Sequence, residues 1–153
     1  MHGMHEDAEG LFQEFRQRLV GRPVTFTRLA ANSLLVYIDG EPGSGTGLTF
    51  WFEPTWHLLG PEGVILGSRQ AQTEDAESHS NLSNLPLMLI QKKVEEVSVS
   101  PLTHDIEVLF EGAYAIVTFV SDPTVDESWH IRDNHSKQRL VGCANGWRVT
   151  KFE

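Results

Sequence analysis

Trp56-His57 and Trp129-His130 repeat one pair of residue types, and each pair is followed by a branched aliphatic, Leu58 or Ile131. Imidazole is a common metal ligand and general base, so two histidines at corresponding places raise the idea of a shared ion. A zinc site needs three or four ligands in compatible geometry, and neither pair is followed by a further His, Cys or Asp at a fixed spacing. On a strand, successive side chains point to opposite faces. If Trp56 and Trp129 are core residues, His57 and His130 face solvent or an interface. The spacing therefore predicts scaffolding, with no metal and no cofactor; a pocket between the two halves, lined by all four side chains, is the rival expectation.

Other candidates for chemistry are thinner. Cys143 with His130 or His135 as base would make a thiol nucleophile, but a catalytic thiolate needs a lowered pKa and an adjacent base. Tight packing explains Cys143 as well as it does Ser68, which follows a glycine in the first half. The run "GSGTG" at 43–47 lacks the Gly-Lys-Ser/Thr end of a phosphate loop and precedes no helix. His104-Asp105 reads as a solvated loop before a strand, and His2 and His5 as part of a frayed start.

The carboxylates form groups. Asp39, Glu41 and Glu53 border one hairpin; Asp122, Asp126, Glu127 and Asp133 cluster at the corresponding place later in the chain; Glu74, Asp75 and Glu77 lie in a polar stretch between. A two-carboxylate hydrolase would bury a pair in one cleft. Most of these acids sit beside turn residues, which points instead to a solvated surface or a docking face.

Charge agrees with that. Among 153 residues, 21 Asp and Glu stand against 12 Lys and Arg, a net charge of −9. Such a surplus opposes nucleic-acid phosphates and anionic lipid, and it accelerates encounter with a basic protein. A single cysteine excludes an internal disulfide framework and fits a reducing cytoplasm. The apolar run "LPLMLI" is far short of a membrane span, and "MHGMHEDAEG" lacks an apolar signal core.

These side chains must be positioned by elements that the periodicity reveals. Leu11, Phe12, Phe15 and Leu19 recur at helical spacing, with Asp7 as cap and Gly21-x-Pro23 as stop, so a helix is expected over about 7–20. Beyond Pro23 the period becomes two, and strands are expected in "VTFTRL", "SLLVYID", "LTFWFE", "WHLL" and "GVILGS". Residues 70–84 carry almost no apolar side chain and read as a mobile acidic linker. Strand grammar then returns in "KKVEEVSVS", "DIEVLF", "AYAIVTFV", "ESWHIRD" and a terminal strand at 145–152.

The later half can be laid on the earlier one. Leu19 and Val24 fall on Leu89 and Val94, Ile38-Asp39-Gly40 on Phe110-Glu111-Gly112, Thr49-Phe50 on Thr118-Phe119, Trp56 on Trp129, and "ILGS" on "LVGC". Ordered landmarks of this kind indicate two diverged copies, about 19–68 and 89–143, within one domain of 1–153. The expected fold is mainly β with an N-terminal helix, the two antiparallel units packed as a sandwich or sharing a sheet. In each acid-Gly pair the glycine is expected to take positive φ at a turn.

The helix, the pattern L-[VI]-x-x-x-V, the strand ending in acid-Gly and W-[HR]-[LI] in each half together resemble small bacterial two-repeat β proteins. Some of these look like immunity proteins of polymorphic or contact-dependent toxin systems. The resemblance covers about 19–148 and departs from the pattern in having His rather than Arg at 57 and 130. It implies a cytoplasmic, non-enzymatic protein that neutralises a cognate basic toxin domain, such as a nuclease, by occluding its active site. Asp122, Asp126, Glu127 and Asp133 would then bind the partner, with Glu74, Asp75 and Glu77 as a second edge. Self-association through edge strands is the remaining expectation.

Overall fold

A computed structural model describes residues 7–119, 124 and 127–152. The first helix, α1 (Ala8–Leu19), is capped by Asp7, whose carboxylate accepts from the Glu9 amide at 3.0 Å. The expected stripe of Leu11, Phe12, Phe15 and Leu19 is buried. Five strands follow: β1 (Val24–Ala30), β2 (Ser33–Ile38), β3 (Leu48–Phe52), β4 (Trp56–Gly60) and β5 (Gly63–Gly67). A short helix α2 (Ala76–Ser83) and a 3-10 turn η1 (Leu85–Leu89) lead into β6 (Val94–Val99), β7 (Ile106–Phe110) and β8 (Tyr114–Thr118). The chain ends with β9 (Trp129–Asp133), β10 (Gln138–Cys143) and β11 (Gly146–Lys151).

Two antiparallel sheets pack as a sandwich, and each sheet takes strands from both halves of the chain. The six-stranded sheet runs β1-β2-β3-β9-β10-β11 and the five-stranded sheet runs β5-β4-β8-β7-β6. The chain thus leaves one sheet after β3 and enters the other at β4; it crosses back between β8 and β9. This exchange sews the layers together. Phe52 pairs with Trp129 where β3 meets β9, and Trp56 with Thr118 where β4 meets β8.

Backbone hydrogen bonds at the corner between β1 and β6 come in matched sets. The Gly21 amide donates to Val94 and the Gln91 amide to Val24, at 2.7 and 2.8 Å; Val24 donates to Lys92 and Val94 to Arg22, both at 2.9 Å. Val20 bridges Val94 just as Ile90 bridges Val24, and Pro23 lies across from Lys93. The β1–β2 register shifts between Val24 and Phe26, the β6–β7 register between Val94 and Glu96. Bulges bend and twist a strand, so both hairpins turn the same corner.

Strand pairing moves two sequence landmarks. Because Phe52 and Thr118 each pair with a Trp of the crossing strand, Thr49-Phe50 corresponds to Ala115-Ile116 and not to Thr118-Phe119. Ser68 donates its amide to Trp56, and Gly142 pairs with Trp129, so Ser68 corresponds to Gly142 and not to Cys143. Similar residue types had matched where the register does not.

Two further expectations change. Within residues 70–84, Ala76–Ser83 is helical, although none of its side chains is buried. No apolar stripe announces it; the Ser78 hydroxyl donating to Asp75 holds it locally, and a His79 Nε2 contact with the Ala31 carbonyl at 2.9 Å ties it to the β1–β2 turn. At the first acid-Gly turn, Asp39 and not Gly40 takes positive φ, at 60°. Gly40 is needed for space instead, since a Cβ there would lie 2.3 Å from the Thr46 carbonyl oxygen. In the second turn Gly112 does take positive φ, at 84°.

Candidate functional site

The inner faces of the sheets fix where the Trp-His pairs point. Trp56 and Trp129 are fully buried between the layers. Since neighbours on a strand face opposite ways, His57 and His130 lie on the outer faces of different sheets. His57 packs edge-on against Phe119, ring centroids 4.5 Å apart. His130 stacks on Trp51 at 5.3 Å and is only 4 % exposed. The four side chains do not converge on a common pocket. Among the described residues no three His, Cys, Asp or Glu side chains come together as a metal site. Cys143 is half-buried, its thiol against the Gly146 carbonyl at 3.3 Å.

The later acidic group divides. Asp122 and Asp126 lie outside the described residues. Asp133 is buried and accepts from Arg18 Nη1 at 2.8 Å and from the His135 amide at 2.9 Å. Burial pushes its carboxyl up, but the Arg18 guanidinium and the two amides of His135 and Ser136 hold it below the usual carboxylate range. Glu127 is half-buried and bonds His130 Nδ1 at 2.7 Å. Burial raises its carboxyl too, and this is outweighed by the His130 contact and the charges of Arg139 and Arg148. Asp133 and Glu127 therefore both have partners within the fold. Elsewhere, Asp39 pairs with Arg22 at 2.7 Å, Glu53 accepts from the Ser33 hydroxyl, and Glu41 is exposed.

The middle group behaves differently. Glu74, Asp75 and Glu77 are exposed around the start of α2, and none pairs with a cation among the described residues. The Ser78 hydroxyl, 2.6 Å away, holds the Asp75 carboxyl below its ordinary value. Glu74 and Asp75 stand on the rim of an open groove of about 720 Å³ between β1 and α2, whose floor includes Thr27, Leu29 and Leu87. Thr27 is 8 % exposed, and its hydroxyl oxygen has no hydrogen-bond partner among the described residues. A buried hydroxyl without a partner costs about 1–3 kcal/mol, so the groove floor retains an unmet polar contact. Leu87 is 51 % exposed. The composition signalled these acids, but the groove beside them needs α2, which had no periodic signature.

The groove between α1 and β6 is smaller. There α1 lies on β6, Arg16 binds Glu96 through two hydrogen bonds of 2.7 and 2.8 Å, and Trp147 from β11 packs on Phe12 with centroids 5.5 Å apart. The remaining groove, about 340 Å³, is half the size. The longer α1, with four buried side chains, fills more of its corner; the shorter α2, with none, leaves a wider groove.

The outer face of the six-stranded sheet holds a second concentration of polar groups. Pairing places Arg28, Leu35, Trp51, His130, Val141 and Arg148 in one row across the strands, and Phe26, Tyr37, Thr49, Arg132, Arg139 and Thr150 in the next. No protein-family model, no curated protein and no solved structure matches this chain.

Proposed function

We propose that this protein is a protein-binding module that docks a basic partner on its acidic corner, in the way an immunity protein covers the active site of a toxin. The observation that carries this reading is the trio Glu74, Asp75 and Glu77: exposed, without cation partners among the described residues, and set on and beside the rim of the β1–α2 groove. Unscreened carboxylates on a chain of net charge −9 attract a cationic surface over about a Debye length. Arginine or lysine side chains of the partner meet the rim, while a polar group reaching the groove floor satisfies Thr27. A nuclease domain, whose cleft is basic because its substrate carries phosphates, is the partner class that such a surface fits. Occlusion needs no chemistry from this chain. The matched corner hydrogen bonds support reading the halves as diverged copies, one of which kept an open corner. No described helix is long and apolar enough to cross a membrane; a cytoplasmic setting belongs to this proposal.

The test is capture from the native host with immobilised protein, comparing the wild type with the triple variant Glu74→Gln, Asp75→Asn, Glu77→Gln. A basic protein retained at low salt by the wild type and lost by the variant supports the reading. Equal retention of that protein by both would contradict it.

A further inference from the structure

We propose that the outer face of the six-stranded sheet binds a phosphate group between Arg132 and Arg139, a site independent of the acidic corner. These two arginines are direct cross-strand partners on β9 and β10. Like charges placed opposite each other destabilise a sheet, yet here a third cation joins them. Arg132, Arg139 and Lys137 all lie over the Phe152 ring, at 5.2, 5.8 and 5.3 Å from its centroid. Ring faces attract cations, and Arg139 Nε also donates to the Thr150 hydroxyl at 3.2 Å, but none of these contacts supplies a negative charge. None of the three is in an ion pair among the described residues. Glu127, whose charge reaches Arg139, is already bonded to His130. In a chain with 12 basic residues against 21 acidic ones, composition does not account for such a gathering.

Unmet hydrogen-bonding capacity lies in the same place. Trp51 Nε1, His130 Nε2 and Arg132 Nε are buried and have no hydrogen-bond partner among the described residues. The three side chains touch: Trp51 stacks on His130, and the Arg132 guanidinium sits 5.6 Å from the Trp51 ring centroid. Two of these atoms are obligate N–H donors. Buried polar groups are nearly always satisfied, so the cluster calls for a small acceptor-rich partner. A phosphate group combines multiple acceptor oxygens with enough negative charge to offset paired arginines, and the guanidinium fork matches it. Free phosphate and a mononucleotide both carry this group.

Proton–nitrogen correlation spectra of the full chain provide the test, because Trp56 and Trp129 donate their indole N–H to backbone carbonyls and Trp51 has no acceptor among the described residues. The Trp51 indole signal is assigned with Trp51→Phe. Inorganic phosphate and adenosine monophosphate are then titrated at constant ionic strength against potassium chloride. A saturable shift of the Trp51 signal is expected with at least one of the two phosphates and not with chloride. Arg132→Gln and Arg139→Gln should each weaken it about tenfold, the loss of one charge-assisted contact. Binding of the mononucleotide more than tenfold tighter than phosphate assigns the site to a nucleotide; equal affinities assign it to free phosphate. No saturable shift with either probe, or an unchanged phosphate response in Arg139→Gln, would overturn the proposal.

Discussion

Trp56 and Trp129 clamp the two sheets from opposite sides. Trp56, on β4 of the five-stranded sheet, donates its indole N–H to the Asn32 carbonyl in the β1–β2 turn of the six-stranded sheet, at 2.9 Å. Trp129, on β9 of the six-stranded sheet, donates to the His104 carbonyl, which lies between β6 and β7 of the other, at 2.7 Å. Each indole fills the interior with its body and ties a distant connection with its edge, an arrangement suited to a large side chain with one polar atom.

Truncating either indole should therefore cost similar stability. Trp56→Ala and Trp129→Ala are each expected to lose about 3–5 kcal/mol in urea unfolding. The Phe variants, which keep an aromatic ring but lose the hydrogen bond, should lose about 1–3 kcal/mol. A loss below about 1 kcal/mol for either Ala variant would mean that its indole is no clamp.

Gly142 makes room for one of these rings. A Cβ at that position would stand 2.1 Å from Trp129 Cε2. Gly142→Ala should lower stability by at least about 1–3 kcal/mol through overpacking and should perturb the near-ultraviolet dichroism of the indole. Ser68, its counterpart, accepts a hydrogen bond from the Trp56 amide at 3.0 Å. Ser68→Ala should be destabilising by the loss of a buried contact, on the order of 1 kcal/mol, with thermal unfolding as the measure.

The Arg18–Asp133 pair joins α1 to β9. The carboxyl of Asp133 sits below its ordinary value in the folded chain, so its protonation favours the unfolded state. The stability it contributes is complete above the unfolded value of about 3.9 and disappears as pH falls through the lower folded value. Arg18→Gln should remove about 1–3 kcal/mol at neutral pH and flatten the acid limb of the stability curve below about pH 4. A variant whose acid limb matches the wild type would show that Arg18 does not hold this proton off.

Helix α2 buries none of its own side chains, in contrast to α1 with four. Local opening free energy follows buried contact. Amide hydrogen exchange should therefore protect Phe15 and Leu19 far better than Asn81 and Leu82, and protection should rise again at Leu89, which is fully buried. Equal protection in both helices would require a cover over α2 that the fold does not provide.

The residues that repeat with a period were the legible ones. Leu11, Phe12, Phe15 and Leu19 announced a helix and its buried face, and alternation after Pro23 announced strands in a sandwich. The Trp-His spacing placed the indoles inside and the imidazoles on the other face, but His130, expected at solvent or an interface, is buried against Trp51. Side-chain type did not reveal register, however: the likeness of Thr49-Phe50 to Thr118-Phe119 is not honoured by pairing, because the strands are aligned by the crossing at Phe52–Trp129 and Trp56–Thr118. Nor did polarity reveal that Ala76–Ser83 is helical, since its ties are the Ser78–Asp75 hydrogen bond, the His79 contact with Ala31 and the following η1 with its buried Pro86 and Leu89. Among the acids, sequence gave no means to separate Asp133, whose partner Arg18 is far away in the chain, or Glu127, which bonds the nearby His130, from Glu74 and Glu77, which pair with no cation among the described residues. The arginine row on the outer face was equally hidden, because Arg132 and Arg139 become neighbours only through the β9–β10 register.

The acidic corner is tested most directly by the association rate of a captured basic partner as a function of salt. The wild type is predicted to associate at least about tenfold faster at low ionic strength than at 0.5 M salt, and the triple variant at Glu74, Asp75 and Glu77 to show a markedly shallower dependence. Identical salt dependence in the two proteins would contradict docking through this corner.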